Sequence, residues 1–98
     1  MKKIRLSTPG EILLEELIKP LGLTQYRVAK DCKIPHPTMN RIIKNGGSIS
    51  IENAMRLGRY FGNSSEFWIN LQTDYDLRMA KDKLKVIESE VQPVNRAA

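Results

Sequence analysis

Leu23-Thr24-Gln25-Tyr26-Arg27-Val28-Ala29-Lys30-Asp31-Cys32-Lys33-Ile34-Pro35-His36-Pro37-Thr38-Met39-Asn40-Arg41-Ile42-Ile43-Lys44-Asn45-Gly46-Gly47 is the stretch on which the architecture turns. Thr24 is placed to cap a short helix over about residues 25–31, with Val28 and Ala29 turned inward. Ile34 precedes Pro35, and the residue before a proline is pushed out of helical angles, so the chain must turn there. A second short helix restarts within two residues, with Pro35 or His36 at its cap and Pro37 in its first turn, where a missing amide is tolerated. Met39, Ile42 and Ile43 form its apolar stripe, and Asn45-Gly46-Gly47 stops it.

Helices flank this pair on both sides. Upstream, Thr8-Pro9-Gly10-Glu11 carries the signature of a capping box with proline in the first helical position. Leu13, Leu14, Leu17, Ile18 and Leu21 then fall on one stripe, Ile12 lies opposite it, and Pro20 and Gly22 close the helix. Downstream, Ser50 caps a fourth helix with Ile51, Ala54, Met55, Leu57, Gly58 and Phe61 expected inside and Gly62 at its C-terminal end. Ser64 opens a long fifth helix with two apolar faces, Trp68, Leu71, Tyr75 and Met79 on one, Leu77, Ala80, Leu84 and Ile87 on the other. The expectation is an all-α, five-helix domain over residues 8–91 with a long C-terminal helix, an N-terminal arm over 1–7 and a flexible tail over 92–98. The helix-turn-helix occupies about 24–45.

Composition restricts the function classes. Ninety-eight residues suffice for one domain, and sixteen Lys and Arg against eleven Asp and Glu give a formal charge of +5, which favours a polyanionic or acidic partner. The lone cysteine, Cys32, cannot form an internal disulfide and reads as a small buried filler in a reducing compartment. Met1-Lys2-Lys3 leads into no long apolar run, so neither a secretory signal nor a membrane partner is expected, and the expected address is the cytoplasm. His36 and Cys32 are two candidate ligands where a metal site needs about four, so no metal or other cofactor is expected. No Ser/His/Asp set, phosphate-cradling glycine loop or carboxylate cluster is visible, which argues against an enzyme.

Two short helices about a tight turn let one rest on the DNA backbone while the other enters the major groove, which is ~12 Å wide and admits a single helix. Base edges are then within reach of His36, Pro37, Thr38, Asn40 and Arg41. Arg41 can chelate the O6 and N7 of guanine, Asn40 can chelate adenine, and Thr38 offers a hydroxyl and a methyl. Thr24 and the amide of Gln25 suit a phosphate oxygen, and Arg27 and Lys44, with Lys30 and Lys33, add attraction that weakens as salt rises.

The run Leu23-Thr24-Gln25-Tyr26-Arg27-Val28-Ala29, with Ile34, Met39, Ile42 and the glycine turn, resembles the Cro/repressor-type helix-turn-helix domain. Pro9-Gly10-Glu11-Ile12-Leu13, Ala54-Met55-Arg56-Leu57, Phe61-Gly62 and Phe67-Trp68-Ile69-Asn70-Leu71-Gln72 with Tyr75-Asp76-Leu77 are similar to the HigA antitoxins of toxin-antitoxin modules. The likeness spans roughly residues 7–80. It implies a homodimer that binds a palindromic double-stranded operator in its own promoter and captures an mRNA-cleaving toxin encoded beside it. By position it puts the phosphate clamp on Thr24 and Gln25 and base reading on His36, Pro37, Thr38 and Arg41. Pro35 and Pro37 stand where many such repressors have Ser, Thr or Gln.

Structural alternatives accompany each assignment. Trp68 serves either the core, against the fourth helix, or a dimer or toxin interface; Leu77, Leu84 and Ile87 either fold back on the domain or meet a partner. The functional alternatives are a stand-alone phage-type or metabolic repressor without a toxin, and a protein-interaction module that has lost DNA binding.

Overall fold

Thr8 starts the first helix as its sequence implies: its Oγ1 accepts from the Glu11 amide at 3.1 Å, and its own amide donates to the Glu11 carboxylate at 3.1 Å. The computed structural model describes residues 7–95. Helix α1 (Pro9–Ile12) continues without a break into a π-helical segment (Leu13–Ile18), followed by α2 (Gln25–Cys32), α3 (His36–Lys44), α4 (Ile51–Phe61), α5 (Ser65–Met79) and α6 (Lys81–Glu90). No strand occurs among the described residues. The expected arm lies outside the described residues apart from Ser7; of the expected tail, residues 92–95 are non-helical and 96–98 lie outside.

Local capping sets the boundaries. Thr24, Ser50 and Ser64 each accept from the amide three residues on, at 3.0 to 3.1 Å. The α2–α3 turn uses a non-glycine left-handed residue, Lys33 (φ 60°), which lets the Ile34 amide return to the Ala29 carbonyl at 3.0 Å. Gly62 (φ 76°) ends α4, with its amide on the Gly58 carbonyl at 2.9 Å.

One core joins the elements: Leu13, Ile18, Val28, Ala29, Cys32, Ile34, Met39, Ile42, Ile43, Ile49, Ala54, Leu57 and Trp68. α1 approaches α3 so closely that a Cβ on Gly10 would collide with the Ile42 carbonyl, so only glycine permits this crossing. α5 packs along α4 and also meets α1. The loop residue Ile49, which lies on no helical stripe, is buried, and its amide donates to the Gln72 side chain at 2.8 Å. Gln72, itself buried, donates in turn to Asp76 at 3.0 Å, so both ends of its amide are bonded.

Four expectations need correction. Leu21 leaves the stripe of the first helix and is 60% exposed. The wider π turn, closed by the Lys19 amide on the Leu14 carbonyl at 3.0 Å, shifts the register there, and the chain turns away at Pro20. Ile51 and Met55 are exposed, not inward, because the buried side of α4 runs through Ala54, Leu57 and Gly58 and leaves them on the outer side. The long fifth helix is two helices, broken at Ala80 (φ −94°, ψ 10°). Trp68 is wholly buried within this chain, its indole N–H donating to Asn63 at 2.9 Å, so it belongs to the core and offers no interface. Leu77, Leu84 and Ile87 do remain exposed.

α6 buries none of its residues and leans on α5. The radius of gyration is accordingly 16.9 Å, against about 13 Å for a tightly folded chain of this length.

Candidate nucleic-acid interface

Met39, Ile42 and Ile43 anchor α3 in the core. At about 100° per residue this forces His36, Pro37, Asn40, Arg41 and Lys44 outward, and all five are exposed; Thr38 is half-buried at the edge. The amino end of α2 lies alongside. Gln25 and Tyr26 of α2 and His36, Pro37, Asn40 and Lys44 of α3 line one open groove, and none of these six side chains is acidic. A surface with a lysine, no carboxylate and a helix first turn standing proud is suited to a polyanion.

Two contacts across the helices organise this groove. The Gln25 amide donates to the Asn40 side-chain oxygen at 3.1 Å, so these two side chains act as a pair. The Asn40 oxygen keeps a second lone pair and its NH2 can still donate, so Asn40 can address a base edge while Gln25 holds its orientation. The Tyr26 and His36 rings stack, with centroids 4.5 Å apart and planes within 8° of parallel. Tyr26 was not among the site residues read from the sequence, since an exposed tyrosine early in a helix has no local signature.

Arg41 depends on a glycine. A Cβ on Gly47 would fall 2.8 Å from the Arg41 Cγ and 3.1 Å from its carbonyl, so the stem of Arg41 lies over Gly47. From the sequence, Gly46-Gly47 is expected only to stop the helix. Gly46 (φ 65°) does supply the left-handed turn, while Gly47 also makes room for the guanidinium arm.

Thr24 is exposed at the end of α2, but its hydroxyl oxygen already caps the helix through the Arg27 amide at 3.0 Å. Its hydroxyl proton remains available to a phosphate oxygen. The structure does not bring Arg27 into the groove. Its Nε donates to Asp31 at 2.7 Å, and Asp31 also accepts from the Tyr60 hydroxyl of α4 at 2.7 Å. Tyr60 and the Arg27 guanidinium hold the Asp31 carboxyl below the usual carboxylate range, and Asp31 raises Arg27 above its own. Lys33 lies elsewhere too, beside Arg56, Arg59 and Tyr60.

Cys32 is buried beneath Arg56, which donates to the Cys32 carbonyl at 3.2 Å. Burial, reinforced by the charge of Asp31, pushes its thiol up to about 11. Among the described residues no three His, Cys, Asp or Glu side chains are grouped to hold a metal ion.

A family model described as helix-turn-helix matches residues 14–69. Virulence-associated protein I of Dichelobacter nodosus is 44% identical over 73 residues, 74% of this chain and 68% of that protein. Among solved structures, the Pseudomonas aeruginosa antitoxin HigA with the higBA promoter is 38% identical and superposes with a TM-score of 0.85, covering 93% of this chain and 100% of that one. A HigA-family addiction module antidote protein from Coxiella burnetii is 41% identical, with a TM-score of 0.83 over 93% of this chain and 100% of that one. A domain model covering more than half the chain and whole-length likeness to solved HigA structures agree with the groove built by α2 and α3: the chain belongs to the HigA-type antitoxins of the helix-turn-helix family.

Proposed function

We propose that this chain is a sequence-specific operator-binding repressor and the antitoxin of a toxin-antitoxin pair, acting as a cytoplasmic homodimer that autoregulates its own promoter. The observation that carries the reading is the outward first turn of α3 beside the capped end of α2, on a face whose groove lacks carboxylates. A whole-length structural relative held with its promoter DNA supports it. No helix among the described residues is long and apolar enough to cross a membrane.

In this reading α2 lies on the phosphates and α3 enters the major groove. Thr24 and the amino end of α2 meet one phosphate, with Lys44 on the neighbouring backbone. Arg41 reads guanine bidentately, Thr38 and Pro37 present methyl and methylene groups to thymine, and His36 and the Gln25–Asn40 pair complete the reading face. The arms of a two-fold dimer meet half-sites centred about 10 base pairs apart, or a multiple of that. Leu77, Leu84 and Ile87 are exposed at 68%, 53% and 45% and form the partner-facing apolar side of α5 and α6.

Mobility shift with the fragment upstream of this gene tests DNA binding; no shift at moderate salt would favour the protein-interaction alternative. Co-purification of the neighbouring gene's product tests the antitoxin role, and a chain that shifts its promoter but captures no neighbour would be a stand-alone repressor.

A further inference from the structure

Tyr26 is 66% exposed, yet its ring lies parallel to an imidazole on the next helix, 4.5 Å away. A large aromatic side chain so placed adds little to the core. Building on the DNA-binding reading above, we propose that Tyr26 is a positioning residue for operator recognition: it holds the His36 imidazole so that the edge of that ring meets one base pair in each half-site.

His36 is the first residue of α3 and is itself exposed, so by itself its ring is free to turn. Stacking fixes the plane of the imidazole before DNA arrives, removing an ordering cost that binding would otherwise bear. It also occupies a face of the ring and leaves the edge, where both nitrogens lie. A ring N–H on that edge can donate to a purine N7 in the major groove. The second pairing across the same helices, Gln25 to Asn40 at 3.1 Å, flanks the stack along one groove, so the two contacts fix α2 and α3 side chains together. A tyrosine hydroxyl bonded to a phosphate makes a different prediction: such a contact is blind to sequence and is lost in phenylalanine.

The test is competition mobility shift of the full-length chain on its upstream fragment, with each base pair of a half-site substituted in turn. Tyr26→Ala and His36→Ala are expected to flatten the preference at the same single base pair by about tenfold. The double variant should lose no more there than either alone, because the two rings act as a unit. Tyr26→Phe, which keeps the stack, should retain the wild-type preference. Thermal melting of each variant should overlay the wild type, given the exposure of both rings. Tyr26→Ala with an unchanged preference overturns the proposal. So does a loss spread evenly over all operator variants and shared by Tyr26→Phe, which would assign Tyr26 to the backbone. If the wild-type chain leaves the fragment unshifted, the DNA-binding reading falls first; if it binds and Tyr26→Ala keeps its preference, only the positioning role falls.

Discussion

α3 and α6 are nine and ten residues long, and the chain treats them in opposite ways. α3 buries Met39, Ile42 and Ile43 against α1 and α2, while α6 buries nothing. Helices this short are marginal in water by themselves, so each depends on what it packs against. α3 finds its support inside the chain, which is why His36, Asn40 and Arg41 project from a fixed platform. α6 has α5 behind it and an apolar edge, Leu84 and Ile87, with no use inside the chain. In the proposed reading, the difference separates a helix that enters the groove from one whose apolar side meets a partner.

Replacing an anchor of the platform should have the largest effect. Ile42→Ala is expected to lower stability by about 2–5 kcal/mol in urea denaturation, and a loss below 1 kcal/mol would mean that α3 is held some other way. Gly10→Ala should cost about 1–3 kcal/mol or more by forcing α1 off the Ile42 carbonyl; an unshifted denaturation midpoint would deny the close crossing. On the outward side, Arg41→Ala should leave stability nearly untouched and cost about 1–3 kcal/mol of operator affinity, with relaxed preference at one base pair per half-site. Footprinting with unchanged preference would remove Arg41 from the reading set.

For α6 the contrast is sharpened by Leu84→Glu. It should change the melting of the isolated chain by no more than about 0.5 kcal/mol equivalent, yet shift sedimentation toward the monomer at micromolar concentration; a dimer that persists would move the seam elsewhere. Asp31→Asn should have the smallest effect. Because Tyr60 and Arg27 depress the Asp31 pKa on folding, the carboxylate stabilises above its unfolded value near ~4, and that contribution is lost as pH falls through the depressed folded value. The difference in melting between Asp31→Asn and wild type should therefore be present at pH 7 and vanish in acid; a difference that grows in acid would contradict the assigned contacts.

Much of the α2–α3 region is legible in the sequence because its signals are local. Thr24, Pro35, Pro37 and the Met39-Ile42-Ile43 stripe act within a few residues, and the outward side of α3 follows from its inward side by helical period. The outer arc of α4 was not legible. Ile51 and Met55 have the apolar character of core residues, and only the positions of α2 and α5 show that nothing covers them. Trp68 was ambiguous for the same reason, since the fourth helix and a second chain offer an indole the same burial.

Most helix starts and stops, and the order of the helices, were thus determined by the sequence itself, because hydroxyl caps, left-handed glycines and prolines act on backbone groups at most a few residues away; the break at Ala80 and the π turn over Leu13–Ile18 were not. The tertiary structure alone decided the rest. It set Gly10 against Ile42, tied Ile49 to Gln72 across 23 positions, brought the Tyr60 hydroxyl to Asp31, and stacked Tyr26 on His36. Most of these join segments far apart in the chain, Asp31 and Tyr60 lying on different helices. Their existence follows from how whole helices cross, which no single window of residues encodes.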